Sequence, residues 1–302
     1  MRTIRVGTRG SKLALTQTNQ VIDLLRAAHP EMDFETVIIK TTGDIRSGVA
    51  FEAVGAKGMF VKEIEEALLA KDIDFAVHSL KDMPSELPAG LCLASTPARV
   101  DPRDALISNV GTLKELPEHA AVGTSSPRRR AQLKAFRRDL EVQELRGNLD
   151  TRLRKLDENQ YDAIVLACAG LERLGLADRI TERLPIEVSI PAPGQGSLAL
   201  EARESDLATF EMLAVLNDPD TADCVACERA FQDRLNAGCT VPAGALATVL
   251  DHEFIRLSAI IAAPDGSEIL RTEVDGQRSS STDIGKMAAL TLLERGGSRW
   301  LV

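Results

Sequence analysis

A cysteine stands in the stretch RLNAGCTVPAG, residues 234–244, with Gly238 before Cys239 and Pro242 after it. Glycine and proline mark a loop. A thiol on a loop lacks the periodic apolar neighbours of a small core hydrophobe, so Cys239 is either incidental or a point of attachment. A second candidate is VHSLKDMP, residues 77–84, where Lys81 and Asp82 follow the end of a predicted strand and Pro84 bounds the loop. A carboxylate there can move a proton or hold a developing cation, although an ion pair at a surface is otherwise worth little. The third feature is charge. Residues 123–155 carry ten Lys and Arg against four Asp and Glu, in a chain of net charge −9. Lys134, Arg137 and Arg138 read as a solvated helix face. Arg128, Arg129, Arg146 and Arg152 instead stand at or just after strand-to-helix turns, where free helix N–H groups meet anions. GTSSPRR joins the hydroxyls of Thr124 and Ser126 to two guanidinium groups, and RVGTRGS offers the same geometry through Arg9 and Ser11. Arginine forks suit carboxylates and phosphates alike. Together these groups point to a polyanionic small ligand between two lobes.

The elements that must position these residues alternate between short apolar strands and amphipathic helices, an α/β pattern. TIRVGT reads as a strand. Residues 11–30 read as a helix with Leu13, Gln17, Val21, Leu24 and Ala28 on one face and Pro30 after its end. FETVIIK and IDFAVHS are further strands, with the helix VKEIEEALLA between them. The order then returns: VGTRGS at 6–11 is echoed by VGTSSP at 122–127, and IDFAV at 73–77 by YDAIV at 161–165. Two similar α/β lobes follow from this repeat. The first carries an extra glycine-rich polar segment at 41–60, which reads as a mobile loop. Joins fall at 96–104 and 189–197, and LALEAR at 198–203 can return to the first lobe as a strand. A third unit begins near residue 219, with one helix, the cysteine loop, three strand-like runs and a last helix over about 281–295, α+β in character.

Composition bounds the function. The acidic balance argues against a general nucleic-acid binder, and Phe136 alone supplies aromatic surface to the basic segment. No apolar run approaches the length of a membrane span, and the start MRTIRVGTRGS lacks a signal-peptide core. Five cysteines suit a reducing cytosol. Cys224 and Cys227 form C-x-x-C without a second pair, and they share a helical face with Phe231 and Leu235, so they read as core. The four histidines lack ligand spacing, and no metal site is indicated.

TRGSKLAL, GAKGMFVKEIEEALL, AVHSLKDMP, DPRDALIS, GTSSPRRR, LRGNLDTRL, AGLERLG, PAPGQG and GCTVP, in this order nearly end to end, resemble the porphobilinogen deaminase family, also called hydroxymethylbilane synthase, of tetrapyrrole biosynthesis. The resemblance implies two periplasmic-binding-protein-like lobes with mixed sheets, at 1–97 with 197–216 and at 101–192. A smaller C-terminal α+β domain at 219–302 would carry the cysteine loop. It implies a dipyrromethane cofactor joined to Cys239 by a thioether, and a cytoplasmic, monomeric transferase acting on porphobilinogen, with neither nucleic acid nor membrane as partner. Porphobilinogen loses ammonia to give a cationic electrophile, which the terminal pyrrole of the growing chain attacks. Four additions precede hydrolytic release of hydroxymethylbilane.

The same resemblance assigns roles. Asp82 would be the catalytic aspartate, a buried carboxylate set against the cation, and would also contact the cofactor. Lys81, Thr124, Ser126, Arg128 and Arg129 would hold cofactor carboxylates. Arg9, Ser11, Arg146, Arg152 and Arg173 would face substrate or the growing chain. Gln195 would contact it from the crossover, and Lys57 and Phe60 from the covering loop. Many members have two glycines before the cysteine, where this chain has Ala237 and Gly238. The alternative is a non-catalytic two-lobed binding module for a small polyanion, which explains the arginines and the repeat but not Cys239.

Overall fold

A computed structural model describes residues 3–41, 61–236 and 241–301. Lys57, Phe60 and Cys239, together with nearly all of the covering segment, lie outside the described residues. The chain divides into two units, Met1–Val100 with Ser197–Ala222, and Asp101–Gly196 with Asp223–Val302.

The first unit holds a five-stranded mixed sheet in the order β2-β1-β3-β10-β4. Its strands are β1 (Thr3–Thr8), β2 (Asp33–Ile38), β3 (Phe75–Ser79), β4 (Leu91–Ser95) and β10 (Leu198–Arg203). The returning strand LALEAR is thus in the first sheet, antiparallel to both β3 and β4. Helix α1 (Lys12–Ala28) starts at Ser11, whose side chain accepts the Ala14 N–H and so caps the first turn. Its buried face is Gln17, Thr18, Val21, Ile22 and Leu25, whereas Leu24, expected inside, is exposed. Leu25 fills the row below Val21 at the i+4 step, which turns Leu24 outward. Val21, Ile22 and Leu25 pack on Ile4, Val6, Phe75 and Leu200. Helix α2 (Lys62–Leu69) covers the opposite face through Ile64 and Leu68, against Ile73, Ala76 and Leu91.

The second unit contains a second five-stranded mixed sheet, β7-β6-β8-β5-β9, and a three-stranded sheet, β11-β12-β13. The former is built from β5 (Asp104–Ser108), β6 (Ala121–Gly123), β7 (Glu141–Gln143), β8 (Ala163–Ala167) and β9 (Glu182–Arg183). Helices α3 (Pro127–Phe136), α4 (Leu149–Asp157) and α5 (Cys168–Arg173) follow β6, β7 and β8.

The repeat seen in the sequence holds at atomic detail. β1 is parallel to β3 with Val6 opposite Phe75, and β6 is parallel to β8 with Val122 opposite Ala163. Asp74 accepts the Arg5 N–H at 2.8 Å and Asp162 accepts the Ala121 N–H at 2.7 Å, so the aspartate of each echo clasps the start of the neighbouring strand. A Cβ at Gly7 would lie 2.2 Å from Ile73, and one at Gly123 3.0 Å from Tyr161, which explains the shared glycine.

The second unit's remaining elements are α7 (Pro219–Arg234, beginning in the first unit's segment, where α6, Leu207–Ala214, precedes it), β11 (Ala243–Val249), β12 (Phe254–Ala262), β13 (Ile269–Gln277) and α8 (Ser281–Glu294). Cys224, Cys227, Phe231 and Leu235 enter one apolar cluster with Leu257, Ile261 and Leu292, the core role expected of the C-x-x-C pair. The other side of this sheet meets the crossover. Leu246 and Ile260 pack on Ile190, and a Cβ at Gly244 would stand 2.9 Å from the Ile190 and Pro191 carbonyls.

Candidate active site

In the first unit, the carboxyl ends of the parallel strands β1 and β3 share one edge of the sheet. β1 leads through Arg9 to the Ser11 cap of α1, whose first turn contains no acid. β3 leads into a single 3-10 turn, Leu80–Asp82. The Leu80 N–H donates to the Ser197 carbonyl at 3.1 Å and the Met83 N–H to the Leu80 carbonyl at 3.0 Å, so backbone fixes both ends of the turn. Lys81 is half-buried. Asp82 is exposed, not buried as the family resemblance implies. The reason is local: it ends a one-turn helix beyond the last laddered residue of β3, past the core that buries Leu80 and Met83.

In the second unit, β6 runs into α3 through GTSSP. The Thr124 N–H donates to the Gln143 carbonyl, and the Thr124 hydroxyl accepts the Ser126 N–H at 3.2 Å. Ser126 caps α3, with Pro127 at its first position and no acid in its first turn. Arg128 and Arg129 follow at once, and both are buried, at 4 % and 6 % exposure. Asp104, at the start of β5, explains why two guanidinium groups tolerate burial. Arg128 donates to its Oδ2 at 2.7 Å and to its Oδ1 at 3.2 Å, and Arg129 Nε donates to Oδ1 at 2.9 Å. Arg128 Nη1 also reaches the Ile190 carbonyl at 2.6 Å, and Arg129 Nη1 the Val165 carbonyl at 3.0 Å. Burial alone would raise the Asp104 carboxyl; Arg128 and then Arg129 hold it far below the usual carboxylate range. Two cations against one anion leave this buried group with a surplus positive charge.

Gln195 belongs to the same network. Its amide donates to Asp104 Oδ1 at 2.9 Å and to the Pro102 carbonyl at 2.7 Å, and its oxygen accepts from Arg129 at 3.4 Å. The crossover presents it through a tight turn in which the Gln195 N–H donates to the Ala192 carbonyl at 3.0 Å. Pro193 and Gly194, the latter at φ 74°, occupy the two central positions that such a turn demands.

Arg146 and Arg152 follow β7. Arg146 is paired with Glu144 at 2.7 Å, and Arg152 Nε donates to the Gly147 carbonyl at 2.8 Å. Arg173, in α5 after β8, donates to the Gly196 carbonyl at 2.8 Å; burial pulls its guanidinium down to about 10, against the pull of Glu172. The structure therefore gathers Arg128, Arg129 and Gln195 around one buried carboxylate, keeps Thr124 and Ser126 in the turn that starts α3, and sets Arg146, Arg152 and Arg173 after the neighbouring parallel strands. Asp104 was not singled out from the sequence. It lies 24 residues from Arg128, and only the antiparallel insertion of β5 beside β8 brings the two together.

Chemically, each unit offers an acid-free helix start with basic side chains at a strand carboxyl end, and the first unit adds an accessible carboxylate on a short turn. Groups of these types can bind carboxylates and hold positive charge.

Comparison with known proteins identifies the family. The family model for the porphobilinogen deaminase dipyromethane cofactor binding domain matches residues 4–211, and that for the porphobilinogen deaminase C-terminal domain matches residues 222–294. The porphobilinogen deaminase of Brevibacillus brevis is 50% identical over 293 residues, covering 97% of this chain and 94% of that protein. That of Bacillus cereus (strain G9842) is 51% identical over 304 residues, covering 100% of this chain and 98% of that protein. Among solved structures, the periplasmic aliphatic sulphonate binding protein of Escherichia coli is similar at a TM-score of 0.40 and 12% identity, over 78% of this chain and 71% of that one. The periplasmic VFT2 domain of Bordetella pertussis BvgS is similar at 0.41 and 14%, over 70% of this chain and 85% of that one. Matched by both family domains and by relatives at half identity over nearly its whole length, the chain belongs to the porphobilinogen deaminase family.

Proposed function

We propose that this chain condenses four porphobilinogen molecules, one at a time and head to tail, onto a dipyrromethane primer held by Cys239, releasing ammonia at each addition and hydroxymethylbilane at the end. The observation that carries the residue assignment is the pair of acid-free helix starts, α1 and α3, each serine-capped at the end of a parallel strand and furnished with basic side chains. Every pyrrole of this chemistry brings an acetate and a propionate, so a site for it needs many cations and few competing acids.

The residues present fit the cofactor. Its carboxylates need charge-assisted donors, and the surplus positive charge around Asp104 supplies them at the start of α3. Lys81, Thr124, Ser126, Arg128 and Arg129 would hold it, with Asp82 beside its ring nitrogens. When bound, it supplies the free pyrrole α-carbon to which the next ring is joined. Arg9, Ser11, Arg146, Arg152 and Arg173 orient the substrate's carboxylates, joined by Gln195 and by Lys57 and Phe60. Asp82 accepts the hydrogen bond of the substrate's pyrrole N–H and holds the positive charge that grows there as the C–N bond breaks and ammonia leaves. Exposed in water, a carboxylate attracts a cation weakly. A substrate seated over Asp82 displaces that water and strengthens the attraction, which is where the catalytic gain arises. The cation grows in the transition state and is absent from bound substrate, so this interaction raises kcat.

We further infer three folding regions, 1–97 with 197–216, 101–192 and 219–302, in a monomer working in the cytoplasm. Sedimentation, limited proteolysis and cell fractionation test those points. The decisive experiment is the intact mass of the denatured protein beside Cys239→Ser. An excess mass equal to two linked pyrroles, absent from the variant, with ammonia released from porphobilinogen, is the expected result. A bare mass that persists after incubation with porphobilinogen would overturn it and favour the binding module.

A further inference from the structure

Three ionisable side chains in the first unit are buried and unused by the chemistry above. Glu65 lies on α2, His78 on β3 and Glu201 on β10. His78 Nε2 is 3.0 Å from Glu201 Oε2, with the two side chains 4 % and 0 % exposed. Among the described residues, Oε1 of Glu65 and Oε1 of Glu201 are buried without a hydrogen-bond partner. Ala199 pairs with His78 and Glu201 with Ala76, so strand alternation puts these residues on the face that α2 covers. Around them Ile64, Leu68 and Ala76 are apolar, and Arg203 lies at the margin, bound to the Leu68 and Ile73 carbonyls.

The second unit is an internal control. Its α4–β8 segment repeats α2–β3. Lys71 and Asn159 both turn the chain in the left-handed region, at φ 64° and 56°. The N–H groups of Asp72 and Gln160 donate to the carbonyls of Ala67 and Lys155 in matching bonds, and Asp74 and Asp162 make the matching clasps. β5 runs antiparallel beside β8 as β10 does beside β3. Aligned on these points, the places of Glu65, His78 and Glu201 are taken by Leu153, Leu166 and Ile107, all buried in one apolar cluster. The fold therefore does not require charge there, and an aliphatic trio avoids the desolvation that a buried ionic cluster suffers. The two strands lead into different segments. β8 continues into the buried start of α5, whereas β3 continues into the turn that carries Asp82.

We propose that Glu65, His78 and Glu201 are positioning residues, which clamp β3 to β10 at the step before the turn and so fix Asp82 for the reaction. This rests on Asp82 being the catalytic carboxylate. The Leu80 N–H that starts the turn is held by Ser197, one residue before β10, and the His78–Glu201 contact braces the same two strands just behind it. The clamp also carries a proton. Burial, then the Glu201 carboxylate, push Glu65 up to about 7, with Glu66 adding to the rise and His78 opposing it. Other charges near this face are engaged elsewhere or sit at its margin: Arg203 is bound to Asp206 and to the Leu68 and Ile73 carbonyls, Arg5 to Asp74, and the Cys92 thiol of β4 feels Glu201. Ionising Glu65 adds a second carboxylate that Glu201 repels and the single imidazole of His78 offsets only in part, which loosens α2 from the strands.

The test is to graft the second unit's residues into the first, as E65L/H78L/E201I in the cofactor-loaded enzyme. The expected result is an unchanged or higher melting temperature, a KM for porphobilinogen within about twofold, and a kcat lower by roughly 10- to 100-fold, the scale of a small misplacement. A kcat within about twofold of the parent overturns the proposal. Should the graft fail to fold, E65Q decides. Its kcat relative to the parent rises from about pH 6 to about pH 8, while amide exchange across residues 75–83, corrected for intrinsic rates, loses its pH dependence. An unchanged ratio and unchanged exchange overturn the proposal. D82N, assayed alongside, separates the two levels. Normal turnover in D82N refutes the role of Asp82, whereas an inactive D82N beside a fully active graft refutes the clamp alone.

Discussion

Asp104→Asn is the most demanding test of the second unit. The carboxylate is fully buried and receives Arg128, Arg129, Ser189 and Gln195 together. Asparagine keeps the shape, but it must turn its oxygen toward one group of donors and its NH2 toward the other. The Oδ1 side faces Arg128 Nη2, Arg129 Nε and the Gln195 amide, so the oxygen belongs there. The NH2 then meets Ser189, whose hydroxyl can reverse, and Arg128 Nη1, which cannot accept. Two buried guanidinium groups are left without a counter-charge. Removing one partner of a buried ion pair costs about 3–5 kcal/mol, a large part of a total stability of roughly 5–15 kcal/mol. The sequence has one tryptophan, Trp300, in the second unit, so its fluorescence during urea unfolding reports on the right part of the chain. The expected result is a lower midpoint at unchanged slope. It should come with strong non-additivity against Arg128→Met, because the two substitutions remove the same pair. The arginines hold the Asp104 carboxyl below its unfolded value, so its contribution is present at neutral pH and is lost as pH falls through the acid range. The gap between parent and variant therefore narrows on acidification. A loss under about 1 kcal/mol, or a gap that stays constant to low pH, would refute the account of the buried network.

Other outcomes follow from the same geometry. Asp82→Asn should keep fold and cofactor and lose nearly all turnover; ammonia release and intact mass measured on one sample check both halves. Arg146→Leu removes a half-buried partner of the exposed Glu144, so the melting temperature should barely move, while kcat/KM for porphobilinogen falls. A fall in stability alone would take Arg146 out of the substrate site. Gly194→Ala forces a side chain to φ 74° and should cost about 1 kcal/mol or more in a urea titration. Glu65 is raised in the folded state, so folding keeps its proton after the unfolded chain has lost it. Stability should fall as pH rises from about the ordinary carboxylate value to about 7 and then level off, a slope that E65Q abolishes.

Much of this was legible in the sequence where local signals were strong. β1 and β12 coincide with the apolar runs TIRVGT and FIRLSAIIA, and α1 begins after the serine that caps it. The family, too, was legible, because its motifs are many and ordered. β7 is a three-residue strand in a polar stretch and carries no periodicity to read. β5 was quoted as a motif, yet nothing local says that it inserts antiparallel beside β8. The partners of the candidate residues were hidden for the same reason. Arg128 and Arg129 were visible as a basic turn, but their anion arrives from 24 residues away, and the partner of His78 from 123 away. The exposure of Asp82 was hidden as well, since it depends on where the ladder of β3 and the core beneath it end.

The internal repeat separates architecture from chemistry more sharply than either unit does alone. Gly7 and Gly123, Asp74 and Asp162, and the left-handed Lys71 and Asn159 occupy matching places and make matching contacts. These residues serve the sheet, so an aspartate on each echoed strand is no sign of catalysis. Where the units diverge, the difference is in charge. After β3 the chain reads LKD, and after β8 it reads CAG. At the ladder step where β10 places Leu198 against Ser79, β5 places Asp104 against Ala167. Each unit thus buries an ionisable group beside its central strand, but at a different step and beside a different turn: Asp104 behind the arginines of α3, and the Glu65–His78–Glu201 cluster behind Asp82. Buried charge is costly in a sheet core that has an apolar solution at hand, and the apolar solution is present in the other unit in both cases. Its retention next to the two turns assigned to ligand, and its absence at the matching positions, is what a role in holding those turns predicts, and what a purely structural role leaves unexplained.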